Sequence, residues 1–169
     1  NQADYNLCGA LGGAGDRLGQ ALVAGDFDLD GQADLAVGVP GFTVNGAAQA
    51  GEVIVMTGTA NSPNWVNVGL ANRDADCQVF SQTAAASNDL TSSAEAGDNV
   101  GASLAAGTMG LIAGDGVPSA LVIGAPGEQW GAADTNGFTH VFNIDGWLDA
   151  RREFAVLERN GIVDVWDYR

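Results

Sequence analysis

Apolar positions in this chain fall in short runs bounded by glycine, proline and aspartate. Leu18 to Ala24, Asp34 to Pro40 and Gly51 to Met56 are partly β-branched and too short for ordinary helices, so they read as strands. The same order recurs further on. Ala14 to Gly19 matches Ala96 to Gly101, Asp34 to Gly41 matches Ala120 to Gly127, and Gly51 to Met56 matches Gly137 to Phe142. Three matched segments in one order make an internal repeat.

Each unit then runs strand, loop, strand, longer loop, strand and a looser fourth segment. In the first unit the fourth strand is expected at Trp65 to Leu70. In the second, Glu153 to Glu158 and Ile162 to Tyr168 flank Asn160-Gly161, a strong hairpin signal. A helix from Trp147 to Arg159 competes with that hairpin, because Trp147 to Glu153 is rich in helix formers. The pattern divides the chain into a lead-in at 1–13, a first repeat at 14–82, a polar connector at 83–95 and a second repeat at 96–169. The glycine-rich stretch Gly9 to Gly15 reads as a turn, since it lacks the lysine and spacing of a phosphate-binding loop.

Between the first two strands lies Gly25-Asp26-Phe27-Asp28-Leu29-Asp30-Gly31-Gln32-Ala33-Asp34. Acidic side chains at alternate positions, a glycine after the third and a closing aspartate suit a loop that turns oxygens onto a hard cation. Asp26, Asp28, Asp30 and Asp34 would supply carboxylates, Gln32 its backbone carbonyl, and Gly31 the sharp turn. Without a cation the loop is costly: two carboxylates about 4 Å apart repel by roughly 4 kcal/mol at an effective dielectric near 20. A solvated acidic turn is the plainer alternative. Strand-like flanks, and Val37 where a helix–loop–helix calcium site needs glutamate, exclude an EF-hand. The matching loop of the second unit, Thr108 to Ala120, is longer and keeps a single carboxylate, Asp115, so no calcium is expected there.

Four antiparallel strands per unit with glycine at the turns is the logic of a β-propeller blade. The motifs resemble the FG-GAP repeat of integrin α-chain propellers and related bacterial and phospholipase-associated propellers. Leu18-Gly19 and Val100-Gly101 stand where that family has Phe-Gly; Gly38-Val39-Pro40 and Gly124-Ala125-Pro126 stand where it has Gly-Ala-Pro. The resemblance covers residues 14–58 and 96–145, and it implies calcium in the Asp26 to Asp34 loop. It therefore implies an all-β fold of two four-stranded antiparallel blades. Such propellers close with more blades than this chain holds, so it is expected to belong to a larger propeller or to be completed by association.

Composition narrows the partners. Acidic residues number 21 against 6 basic ones, net −15, and all the basic residues are arginine. That charge excludes a nucleic-acid backbone binder and disfavours anionic membrane surfaces. No membrane insertion is expected, as the uncharged stretch Asn99 to Gly114 is broken by glycines and too short to span. Cys8 and Cys77, the two cysteines, either form one disulfide outside the cell or stay as buried thiols. The chain starts at Asn1, which suggests a processed or excised piece. No serine-hydrolase elbow is present, and His140, the single histidine, sits in a strand pattern. Trp65, Trp130, Trp147 and Trp166 read as blade packing or as aromatics offered to a sugar or protein partner. Trp130, in a loop, is the candidate binding residue. The expectation is a non-catalytic, calcium-stabilised extracellular module for adhesion or protein assembly. The scaffold part of a larger secreted enzyme and a subunit of a self-assembling surface ring or filament are the alternatives.

Overall fold

The computed structural model describes residues 5–7, 10–28, 30–58, 77–82, 93–108, 119–129, 137–144, 151–159 and 162–168. Every regular element among them is a β-strand: β1 Tyr5–Leu7, β2 Ala10–Gly12, β3 Leu22–Gly25, β4 Asp34–Val39, β5 Glu52–Met56, β6 Cys77–Phe80, β7 Ser103–Thr108, β8 Ser119–Ala125, β9 Phe138–Ile144, β10 Arg151–Arg159 and β11 Ile162–Tyr168. They form two antiparallel meanders, β3-β4-β5-β6 and β7-β8-β9-β10-β11, and a small pair, β1-β2. The architecture is that of propeller-like blades, with a fifth strand on the second.

The meanders form because the apolar residues alternate between faces. In the first, Ala36, Val53 and Val55 point to one side, and Val37, Val39, Ile54 and Met56 to the other. The first set joins Phe27 and Phe80 and meets Val100, Leu121, Ile123, Ala125 and Phe138 of the second unit in one core. That core lies between the sheets, where β3 packs on β7 and β8, and β4 on β7. The opposite face of the first sheet holds its own cluster with Leu18, Leu35, Phe42, Cys77 and Val79. Among the described residues, Leu22 is the one exposed large hydrophobic side chain, at 59%.

The two units share the same turn in atomic detail. Gly15 and Gly97 have φ of 101° and 94°, Arg17 and Asn99 of 59° and 54°, and Gly19 and Gly101 of 80° and 81°. The amide of Gly19 donates to Gly38 O at 3.0 Å, and that of Gly101 to Gly124 O at 3.0 Å. Gly41 N reaches Asp16 O at 2.9 Å, and Gly127 N reaches Asp98 O at 3.0 Å. Each aspartate also holds the amide three residues before it, Gly13 N to Asp16 Oδ2 at 2.5 Å and Glu95 N to Asp98 Oδ2 at 2.6 Å. This is an Asp-anchored turn leading into the first strand of each blade.

Several expectations are corrected. The fourth strand of the first blade is Cys77–Phe80, antiparallel to β5 in the register Val53↔Phe80; Trp65 to Leu70 lies outside the described residues. The residues from Leu18 to Ala21 are turn rather than strand, because Gly19 takes a positive φ. Ala10–Gly12, within the presumed turn, is a strand held by Tyr5–Leu7 in the register Asn6↔Leu11. Pairing overrides weak glycine propensity there. The helix alternative fails over Arg151–Arg159, which pairs with both β9 and β11, and Arg159↔Ile162 closes the hairpin across positions 160–161.

Candidate functional site

The loop from Asp26 to Ala33 joins β3 and β4 where their pairing ends at Gly25↔Asp34. Phe27 anchors it, its ring wholly buried in the inter-sheet core. Asp34, 1% exposed, begins β4 and accepts two backbone amides: Phe27 N on Oδ2 at 2.5 Å and Gly58 N on Oδ1 at 2.8 Å. It thus fixes both the loop and the chain leaving β5. The turn itself is stitched by Asp30 N to Asp28 Oδ1 at 3.1 Å, Gly31 N to Asp26 Oδ2 at 3.1 Å and Gln32 N to Asp30 Oδ1 at 2.7 Å. Gly31, at φ 82°, permits the reversal.

Carboxylate oxygens of Asp26, Asp28 and Asp34 lie within 4.8 Å of one another. Asp30 is exposed and stands outside that group of carboxylates, its Oδ1 being taken by the amide of Gln32, which is exposed too. Burial pushes the Asp34 carboxyl up to about 6, against the pull of the Gly58 and Phe27 amides, and Asp28 adds repulsion. Asp28 is raised too, first by burial and then by the charges of Asp30 and Asp26. Asp26 Oδ1 is buried with no hydrogen-bond partner among the described residues. These properties fit a hard, oxygen-seeking cation, which Asp26, Asp28 and Asp34 would hold.

Other candidates separate from this loop. His140 is wholly buried in β9, its ring tilted against Phe138 with centroids 4.7 Å apart. Cys77 opens β6 and is disulfide-bonded; Cys8 and Trp130 lie outside the described residues, as do positions 109–118 of the second unit's loop. A group that the spacing did not reveal gathers Glu95, Asp98 and Glu128, with carboxylate oxygens within 4.8 Å of one another. These residues come from the turn before β7 and the loop after β8. A clue was present in Asp98, the repeat partner of Asp16.

The blade junction lies alongside. Gly97 N, Asn99 N and Val100 N donate to Ala48 O, Gln49 O and Ala50 O at 3.0, 3.0 and 2.8 Å. Arg17 Nη2 donates to Asn99 Oδ1 at 2.5 Å, linking equivalent positions of the two turns. The first unit's copy of this edge is open: Gly15 and Arg17 are exposed, whereas Val100 is wholly buried. Among the described residues no backbone carbonyl receives the amides of Gly15, Arg17 or Leu18.

No curated protein matches the chain. The family model described as the FG-GAP repeat matches residues 18–56, from the first turn to the end of β5 and across the acidic loop. That segment, the core of the first blade, is an FG-GAP repeat, a repeat that builds β-propellers.

Proposed function

We propose that the chain is a calcium-stabilised, non-catalytic propeller module of the cell exterior whose work is protein assembly or adhesion. One observation carries the reading: the edge that seats the second blade on the first exists in two copies, and the first unit's copy is open. Gly15 and Arg17 already hold the positive φ that Gly97 and Asn99 adopt where their amides donate to Ala48 O and Gln49 O. A further blade, linked covalently or carried by another chain, completes it. The disulfide at Cys77 fits an oxidising compartment, where millimolar calcium is also available. His140, buried in a strand, supports a structural role for the single histidine.

Calcium in the Asp26, Asp28 and Asp34 cluster would relieve carboxylate repulsion and lock the β3–β4 loop. For a dissociation constant of about 10 µM in about 1 mM calcium, mass action stabilises the fold by roughly 2.7 kcal/mol. Light scattering on the purified chain, with calcium and with chelator, tests the reading. The expected result is a species larger than one chain in calcium, and a lower melting temperature in chelator. A monodisperse monomer with a high, cooperative transition that chelator leaves unchanged would overturn it.

A further inference from the structure

We propose that Glu95, Asp98 and Glu128 form a second site for a hard divalent cation, calcium by its chemistry, at the base of the second blade. The site is distinct from the β3–β4 loop. It uses the turn before β7 and the loop after β8, whereas the first cluster lies between the first two strands of a blade.

The three carboxylates converge within 4.8 Å, and two of them are deeply buried: Asp98 is 0% exposed and Glu128 4%. Asp98 divides its work between its oxygens. Oδ2 accepts the Glu95 amide at 2.6 Å, while Oδ1, equally shut from solvent, has no hydrogen-bond partner among the described residues. Glu95 Oε2 is likewise buried and unpartnered among them. Buried carboxylate oxygens left without a partner are strongly unfavourable unless a cation or a shared proton joins them.

The donor set selects the ion. All three ligands are carboxylate oxygens, with no imidazole or thiolate, which favours calcium or magnesium over zinc or copper. Magnesium demands near-ideal octahedral geometry and keeps several of its waters, so three carboxylates brought from separate segments suit calcium better. Gln82, which follows β6, donates its side-chain amide to Glu128 Oε2. Gln82 is a positioning residue, and it brings the end of the first sheet to a site otherwise made by the second. A cation there clamps three segments at the blade junction: the exit of β6, the Asp-anchored turn and the β8–β9 loop.

Equilibrium dialysis of the full chain with radioactive calcium tests this, alongside the variants Asp28→Ala, Asp98→Asn and the double variant Glu95→Gln/Glu128→Gln. The glutamine pair keeps side-chain shape and leaves the Asp98–Glu95 amide contact in place, so it decides the matter if Asp98→Asn fails to fold. The expected result is two ions per chain for the wild type. One is lost in Asp28→Ala, the other in Asp98→Asn and in Glu95→Gln/Glu128→Gln, and magnesium competes weakly at the second. A wild type whose bound calcium is unchanged by the glutamine pair overturns the proposal, and so does a single ion abolished by Asp28→Ala. A single ion that survives Asp28→Ala but is lost in the glutamine pair upholds this site and removes calcium from the β3–β4 loop.

Discussion

Glu52 shows how one side chain can set the pH response of the whole junction. It begins β5, is 3% exposed, and its Oε1 has no hydrogen-bond partner among the described residues. Burial first, and the charge of Asp16 second, push its carboxyl from the ordinary value of 4.5 to about 7. A carboxyl raised in the folded state binds its proton more tightly there than in the unfolded chain. Its stabilising contribution is therefore complete below about 4.5 and is lost as pH rises through about 7. The difference amounts to roughly 3 kcal/mol at most. Asp34 and Asp98, both raised to about 6 by burial, act in the same direction. Glu52→Gln should isolate the share of Glu52. Urea unfolding in chelator should show the variant gaining on the wild type between pH 5 and 8, and more stable than it at pH 8. Parallel stability curves for the two would show that Glu52 is solvated in the native state.

At the scale of the elements, the glycines decide how closely the blades approach. A Cβ at Gly38 in β4 would run into Gly101 O in the turn of the next blade, whereas one at Gly107 in β7 would meet open space. Gly38→Ala should therefore force the sheets apart and cost about 2 kcal/mol or more, while Gly107→Ala should be near neutral. Thermal denaturation of both variants checks the contrast, and equal midpoints would contradict the packing described. This explains what the sequence could reveal. The repeat was legible because its small residues sit where the backbone itself demands them: Gly15, Gly97, Gly19 and Gly101 at positive φ, Gly38 against a neighbouring carbonyl. The acidic loop was legible because its aspartates are close in the chain. β6 was not, since Cys77–Phe80 is too short to stand out and is chosen by pairing with β5. The β1–β2 hairpin was hidden in the same way by glycine-rich composition. The group of Glu95, Asp98 and Glu128 was silent because folding, not spacing, brings it together.

For the molecule as a whole, the edge before β3 copies the junction before β7, and nothing among the described residues fills it. The apolar faces offer little else to a partner, since Leu22 alone among the described large hydrophobics is exposed. What remains is a row of backbone donors at Gly15, Arg17 and Leu18, of which Gly15 and Arg17 match in φ the engaged donors Gly97 and Asn99. Hydrogen exchange, resolved to these amides in the protein at working concentration with calcium present, reports whether a partner fills this edge. The amides of Gly97, Asn99 and Val100 should be protected in every state that keeps the two blades together. If the open edge is filled by assembly, Gly15, Arg17 and Leu18 should be protected to a similar degree, and should lose that protection first on dilution. Exchange at Gly15, Arg17 and Leu18 as fast as in an unfolded chain, at every concentration and with 97–100 still protected, would show that no further blade or chain seats on this edge.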